Sequence, residues 1–209
     1  MGGLVRDLAI AGGLQTVDLS GCRNLLDAHV QALFEGNPLL RHACFARARH
    51  LQHPTVVGGA LVSLSLAQCT GMRGVALTTP RLAEVSVAGC RLVSGDALAD
   101  IVDALPRLQF LDASSCTELK HVTVESTTLQ RLVLSMCTGL RSLLLDAPSL
   151  QSLALGAVPC LQHLEVHAGS NLRSLDLSVL VGLQSVELEA PQLKVARGQR
   201  CGCPFTYRR

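Results

Sequence analysis

Most of the thiols in this sequence recur at one place in a repeated phrase. The 209 residues include nine cysteines, and several of these stand eight positions after a leucine that opens a phrase. These residues, which we call the Cys ladder, are Cys22, Cys69, Cys90, Cys116 and Cys137. A buried thiol is a small hydrophobe that can donate weakly to a backbone carbonyl of a neighbouring turn. A structural ladder of buried, reduced thiols is therefore favoured over a metal or redox role.

A different cysteine pair lies near the carboxyl end, where Cys201 and Cys203 flank Gly202. A lone C-x-C with no second pair of ligands is weak evidence for zinc. The favoured interpretation is an exposed, oxidation-prone pair of thiols.

Histidines and carboxylates form a second group with chemical potential. If the strands stack in register, His167 lies between Asp146 and Glu189, and Glu165 lies beside Glu187. Oxygen ligands around one imidazole could hold a divalent cation weakly, and the acidic neighbours should raise the pKa of His167. A solvated acidic patch, or a docking surface for a basic partner, is favoured over a metal site. We predict neither a bound metal nor a cofactor.

No arrangement typical of catalysis is found in the sequence. The nearest Cys-His candidate joins Cys116 to His121, but Cys116 belongs to the buried ladder while His121 points outward on the other side. The sequence contains no P-loop, G-x-S-x-G or HExxH motif, and no dinucleotide-binding glycine pattern. We therefore predict that the protein is not an enzyme.

The elements that must position these residues are short repeated phrases. In residues 129–150 apolar residues stand at positions 1, 4 and 6 of a phrase of about ten residues, which fits neither a helix nor a simple two-faced strand. First phrases open at Leu14, Leu40, Leu61, Leu82, Leu108, Leu129, Leu150, Leu172 and Leu193, and second phrases open at Leu51, Met72, Leu119, Leu140, Leu161 and Leu183. Two strand-forming phrases per turn predict a leucine-rich-repeat solenoid, a β-dominated α/β fold with parallel strands on both faces.

Two turns of 26 residues replace the second strand with a helix. In the first, Asp27 is the predicted cap, and residues 28–34 form the apolar stripe. In the second, Ser94 or Asp96 is the predicted cap, and the stripe consists of Leu98, Ile101, Val102 and Leu105.

The predicted solenoid covers residues 14–193, in about nine turns. Residues 1–13 are expected to be a remnant of a preceding repeat or a weak cap, and residues 194–209 an irregular basic tail. Open solenoid ends expose core and strand edges. The lack of an obvious capping unit is therefore what a fragment of a longer protein would show.

Composition excludes several function classes. The net charge of +2 gives no field strong enough to indicate nucleic-acid or membrane binding. The basic run at residues 41–53 lacks interleaved aromatics for base stacking, so a solvated edge is favoured. With no signal peptide and no apolar stretch of about 18 residues, we expect a cytoplasmic or nuclear protein.

A partner site is predicted on the face formed by the first phrases, which is expected to be concave. Side chains there are mostly small, and the exceptions lie near the centre: Glu84, Phe110, Asp112, Arg131 and Val133. An exposed aromatic beside an arginine is typical of a binding hot spot. The open alternative is that Phe110 is a solitary apolar surface residue.

Two stretches carry a family resemblance. LQTVDLSGCRNLLDAHVQALFEGNPLLRH, with Cys22 at the signature position, resembles the cysteine-containing leucine-rich repeat of F-box/LRR proteins. RLAEVSVAGCRLVSGDALADIVDALPRLQFLDASSC resembles it again. The phrases from 108 to 193 are similar to plant and algal F-box/LRR-repeat proteins of the fifteen-like group.

The resemblance implies a protein-interaction module that recognises substrates for an SCF-type ubiquitin ligase. Members of that family dock a Skp-type adaptor through an F-box and hold the substrate on the repeats. No F-box can be read in this sequence, so an adaptor is expected only if an F-box lies outside it. The alternative is a structural or signalling scaffold with no link to ubiquitin.

Overall fold

The computed structural model describes residues 7, 8, 10–198 and 205–208. Over these residues the chain forms short parallel strands and two short helices. In chain order the elements are β1 (Thr16–Asp18), α1 (Asp27–Gly36), β2 (His42–Cys44), β3 (Thr55–Val57), β4 (Ser63–Ser65), β5 (Ala76–Thr78), β6 (Glu84–Ser86), α2 (Gly95–Asp103), β7 (Phe110–Asp112), β8 (His121–Glu125), β9 (Arg131–Val133), β10 (Ser142–Asp146), β11 (Ser152–Ala154), β12 (His163–His167), β13 (Ser174–Leu177), β14 (Ser185–Glu189), β15 (Val195–Gly198) and β16 (Phe205–Arg208). The result is a β-dominated solenoid, which confirms the predicted fold class.

First phrases form one side of the solenoid. Their strands make a nine-stranded parallel sheet, here called the long sheet, in the order β1-β2-β4-β6-β7-β9-β11-β13-β15 within the described residues. Each three-residue strand buries its central side chain and turns its two flanking side chains outward, as in Arg131, Leu132 and Val133. Because the strands pair without offset, the buried residues stack directly, with Leu132 between Leu111 and Leu153. This stacking also places outward side chains in straight columns.

Second phrases form the opposite side, which is interrupted. β8, β10, β12, β14 and β16 pair in parallel as a five-stranded sheet, here called the short sheet, whereas β3 and β5 form a separate pair. Helix α1 packs against β3, and α2 packs against β8. A strand whose edge is covered by a helix cannot form backbone hydrogen bonds with a further strand on that edge. Helix α2 therefore divides this side into two sheets.

The two helices begin in different ways. Ser94 is the N-cap of α2, and its Oγ accepts the Ala97 N–H at 3.3 Å. The apolar stripe of α2 is buried, as the sequence predicts. In α1, however, Leu26 holds the N-cap position and its N–H donates to His29 Nδ1 at 3.1 Å. The prediction that Asp27 caps α1 is wrong.

Asp27 instead joins neighbouring turns. Its carboxylate accepts the N–H groups of Gln52 and His53, at 3.1 and 2.9 Å. These residues begin the following second phrase. A carboxylate can satisfy such free backbone donors, and here the donors come from another turn.

The carboxyl end differs from its predicted character. β15 pairs with β13 and β16 pairs with β14, so regular strands lie within the region 194–209 that was predicted to be irregular. Pairing at a sheet edge uses main-chain groups, which explains why strands persist where the leucine pattern is lost. At the other end, Leu8 packs against the core and its carbonyl accepts from Asn37 Nδ2 at 2.8 Å. Cys201 and Cys203 lie outside the described residues.

Candidate functional site

The predicted partner-binding residues lie on adjacent strands of the long sheet. Register places Glu84, Phe110 and Arg131 side by side on β6, β7 and β9. Asp112 and Val133 are neighbours in the next column, two residues along the same strands. We call these five residues the long-sheet cluster. Each column follows from the common register of three-residue strands, because an offset of one residue would turn these side chains into the core.

An aromatic ring and a guanidinium form the centre of the long-sheet cluster. Arg131 Cζ lies 5.6 Å from the centroid of the Phe110 ring, within the range of a cation–π interaction. Phe110 is half-buried, whereas Glu84 and Arg131 are exposed. The three side chains line a shallow depression of about 480 Å³. The predicted hot-spot residues are therefore brought together in space.

The same depression includes residues that the sequence analysis missed. They are Gln109, Gln130, Gln151, Ser152 and Arg173. The three glutamines follow the opening leucine of consecutive first phrases, and this Leu-Gln pair was the signal that could have identified them. Gln151 Nε2 lies 3.5 Å from Gln130 Oε1. The glutamine amides offer donors and acceptors along one border of the depression.

Asp112 has a structural partner and lies outside this depression. One of its carboxylate oxygens accepts the Ser114 N–H at 3.0 Å. The equivalent contact recurs from Asp18 to the Ser20 N–H, at 2.8 Å, and from Asp176 to the Ser178 N–H, at 3.0 Å. This side chain therefore stabilises the turn after the strand, as aspartates commonly do.

Four members of the Cys ladder lie in the core. Each thiol donates to a carbonyl of the preceding turn: Cys69 to Phe45 at 3.2 Å, Cys90 to Leu66 at 3.1 Å, Cys116 to Val87 at 3.3 Å, and Cys137 to Ala113 at 3.1 Å. Cys22, in the first turn, is only half-buried.

Burial also controls the ionisation of these thiols. It raises the pKa of Cys69 and of Cys137 to about 11, and that of Cys90 to about 12. Burial likewise raises the pKa of Cys116. Because the thiolate is the nucleophile and the metal ligand, these thiols are inert at neutral pH.

The acidic patch has the geometry that the strand pattern predicts. On the short sheet His167 lies between Asp146 and Glu189, and Glu165 lies beside Glu187. His167 Nε2 lies 2.9 Å from Glu165 Oε1, and its Nδ1 lies 3.1 Å from Glu189 Oε2. Hydrogen bonding to Glu165, and then to Glu189, raises the pKa of His167.

The two carboxylates hold the imidazole by both nitrogens, which favours its doubly protonated form. Among the described residues, no group of three or more His, Cys, Asp or Glu side chains is arranged to hold a metal ion.

The predicted separation of Cys116 from His121 agrees with their contacts. Cys116 Sγ donates into the core, whereas His121 is exposed on β8 and its Nδ1 lies 2.7 Å from Ser142 Oγ. The same pairing recurs between His163 Nδ1 and Ser185 Oγ, at 2.8 Å. These histidines are therefore part of a repeated surface pattern.

No family model matches the sequence. Among the described helices, none is long and apolar enough to cross a bilayer.

Proposed function

We propose that this chain is a non-catalytic protein-interaction module whose partner docks on the long-sheet cluster. The observation that carries the proposal is the stack of Arg131 over Phe110 beside Glu84, in a depression of an otherwise small-side-chain sheet. Aromatic and arginine side chains are enriched among residues that dominate binding energy. Partner side chains would cover the Phe110 ring and pair with the flanking charges.

The backbone beneath the cluster supports rigid recognition. Main-chain groups beside it bond from turn to turn, as from the Arg131 N–H to the Gln109 carbonyl, at 2.9 Å. The buried leucines Leu111 and Leu132 lie directly under the cluster. A preformed surface loses little conformational freedom on association, which reduces the free-energy cost of binding.

For the cellular context we propose substrate recognition in an SCF-type ubiquitin ligase. The support is the resemblance of the Cys22 and Cys90 repeats to those of F-box/LRR proteins, together with the solenoid fold. A Skp-type adaptor would join through an F-box outside this sequence. The alternative, a scaffold without a ubiquitin link, requires the same binding surface.

The experiment is quantitative affinity capture with the purified chain as bait. Wild type is compared with the double variant Phe110→Ala/Arg131→Ala, and captured proteins are identified by mass spectrometry. A true partner should lose about 30-fold or more in affinity, since loss of a hot spot costs roughly 2 kcal/mol or more.

The matched control is Leu144→Ala/Arg141→Ala. It likewise removes one apolar surface residue and one exposed arginine, but near the short sheet. Capture that is equal for wild type and the Phe110/Arg131 variant would refute the long-sheet site. Ubiquitination of the captured partner that depends on the chain would support the ligase context, and a captured partner whose turnover does not depend on the chain would favour the scaffold.

A further inference from the structure

A groove runs along the bend that follows the long sheet. After each long-sheet strand from β1 to β13 the chain passes through a residue with positive φ, among them Gly21 (73°), Arg47 (64°), Gln68 (59°) and Met136 (62°). The N–H of each of these residues donates to the next turn, as from Arg47 to the Ala67 carbonyl at 2.8 Å. A second column of side chains lies two residues further along each turn. The two columns enclose a groove of about 960 Å³.

Arginines are concentrated in the first part of this groove. Arg47 belongs to the positive-φ column, and Arg23, Arg49 and Arg91 belong to the other. All four side chains are exposed. Strand pairing sets consecutive turns about 4.8 Å apart, so these arginine side chains lie in line along the bend.

The positive charge of the groove is not neutralised within the described chain. No carboxylate is among its lining residues. Ion pairs between described residues involve Lys120 and His167, and none involves these arginines. Arg47 is held in place by its neighbour instead, since its Nε donates to Gln68 Oε1 at 3.0 Å. The whole chain carries a net charge of only +2, so the groove is a local excess of positive charge.

The rest of the groove favours a polypeptide over a nucleic acid. No aromatic ring lines it, and binding of single strands depends on bases stacking on aromatic side chains. Thr70, Thr117 and Thr138 line the same groove and offer hydroxyls to peptide N–H and carbonyl groups. Past the arginines the bend becomes apolar, where Met136 is 59% and Val179 58% exposed.

We propose that this groove binds an extended acidic segment of a partner protein, whose carboxylates pair with Arg23, Arg47, Arg49 and Arg91. Guanidinium groups bind carboxylates through paired hydrogen bonds. From Arg23 to Arg91 the groove advances by three turns, or about 14 Å, which about four extended residues would span. The groove shares no lining residue with the depression at Phe110, so it constitutes a second, independent docking surface.

The test uses a fluorescein-labelled peptide of about eight residues with alternating glutamate and glycine, long enough to cover the groove at about 3.3 Å per residue. Binding to the full chain is followed by fluorescence anisotropy. The groove variant is Arg47→Glu/Arg49→Glu/Arg91→Glu. The matched control, Arg41→Glu/Arg107→Glu/Arg141→Glu, makes the same change in net charge at exposed arginines outside the groove.

We expect the groove variant to bind the peptide about tenfold or more weakly than wild type, and the control to change affinity by about threefold or less. Binding should also weaken as salt is raised from about 50 to about 300 mM. Undetectable binding by wild type, or equal losses in both variants, would overturn the proposal.

Two further arms test the identity of the occupant. A single-stranded oligonucleotide of similar charge should bind more weakly than the peptide; tighter binding that is lost in the groove variant would overturn the assignment to a protein segment. In sedimentation, the chain alone should remain monomeric. Self-association of wild type that the groove variant abolishes would overturn the proposal, because the occupant would then be a second copy of the chain.

Discussion

Replacing Gly139 with alanine tests how closely the turns of this solenoid are stacked. A Cβ at Gly139 would lie 2.2 Å from the Thr117 carbonyl oxygen and 3.3 Å from that of Leu119. Ordinary contacts begin near 3.4 Å, so the turn would have to move by roughly 1 Å. Both obstacles are backbone atoms and cannot rotate away. The same close approach recurs at Gly71 and Gly182, which also precede the opening residue of a second phrase.

The expected cost of Gly139→Ala follows from two opposing effects. Overpacking costs about 1–3 kcal/mol, and a clash with backbone belongs near the upper end. Alanine restricts the unfolded chain, which offsets about 0.4–1 kcal/mol. We therefore expect a net loss of about 2 kcal/mol, equivalent to a fall of about 4–8 °C in Tm for a chain of this size.

The matched control is Gly59→Ala. A Cβ there meets nothing within 4 Å, so this variant should be unchanged or slightly more stable. Both variants are followed by urea and thermal unfolding with far-UV circular dichroism, since the sequence contains no tryptophan. Equal midpoints for Gly139→Ala and Gly59→Ala would show that the turns are not stacked as closely as described.

Other predictions concern the core, the thiols and the acidic patch. Leu132→Ala should cost about 2–5 kcal/mol in urea unfolding, and a cost of a few tenths would mean that the strand phase is wrong. A thiol reagent should modify exposed Cys160 in the native chain and buried Cys116 only on unfolding; peptide mapping of an early Cys116 adduct would contradict its burial. Glu165→Gln should lower the pKa of His167, measured by NMR titration of the ring; an unchanged pKa would exclude this contact. Because the folded-state pKa lies above the ordinary 6.5, the stabilisation by His167 should be complete below that pH and be lost as pH rises through the folded-state value.

Leucine spacing was sufficient to predict the strands because each buried position is determined by side-chain alternation. Leu132 and Leu153 are in the core for that reason, and the common register then places His167 between Asp146 and Glu189. Because similar repeats stack on one another, the neighbours of a residue in the adjacent turns are the residues at the same position of the repeat. A periodic pattern therefore predicts neighbours as well as secondary structure.

Features that depend on geometry between turns were not predictable in this way. Arg47 and Val179 adopt positive φ, at 64° and 61°, although neither residue type favours it. The stacked bend imposes this conformation, and at Arg47 the hydrogen bond from its N–H to the Ala67 carbonyl of the next turn offsets the local cost. Asp27 likewise is a residue type that commonly caps helices, but its carboxylate bonds to the backbone of the neighbouring turn. The conformational preference of a residue type concerns its own segment of chain. It contains no information about hydrogen bonds to another turn.

At the two proposed docking sites, recognition would be carried by side chains. Backbone groups of the long sheet and of its bend already bond to neighbouring turns, from the Gln109 carbonyl at the cluster to the Ala67 carbonyl at the groove. A partner would therefore meet a surface of small side chains from which a few large ones project. Phe110 and Arg131 do so on the sheet, and Arg47 does so in the groove. Because the two sites have no residue in common, substitutions in one site should leave the affinity for a ligand of the other site unchanged. When variants of both sites are combined, their changes in binding free energy should add. Strong coupling between the two sets of variants would mean that one partner covers both surfaces.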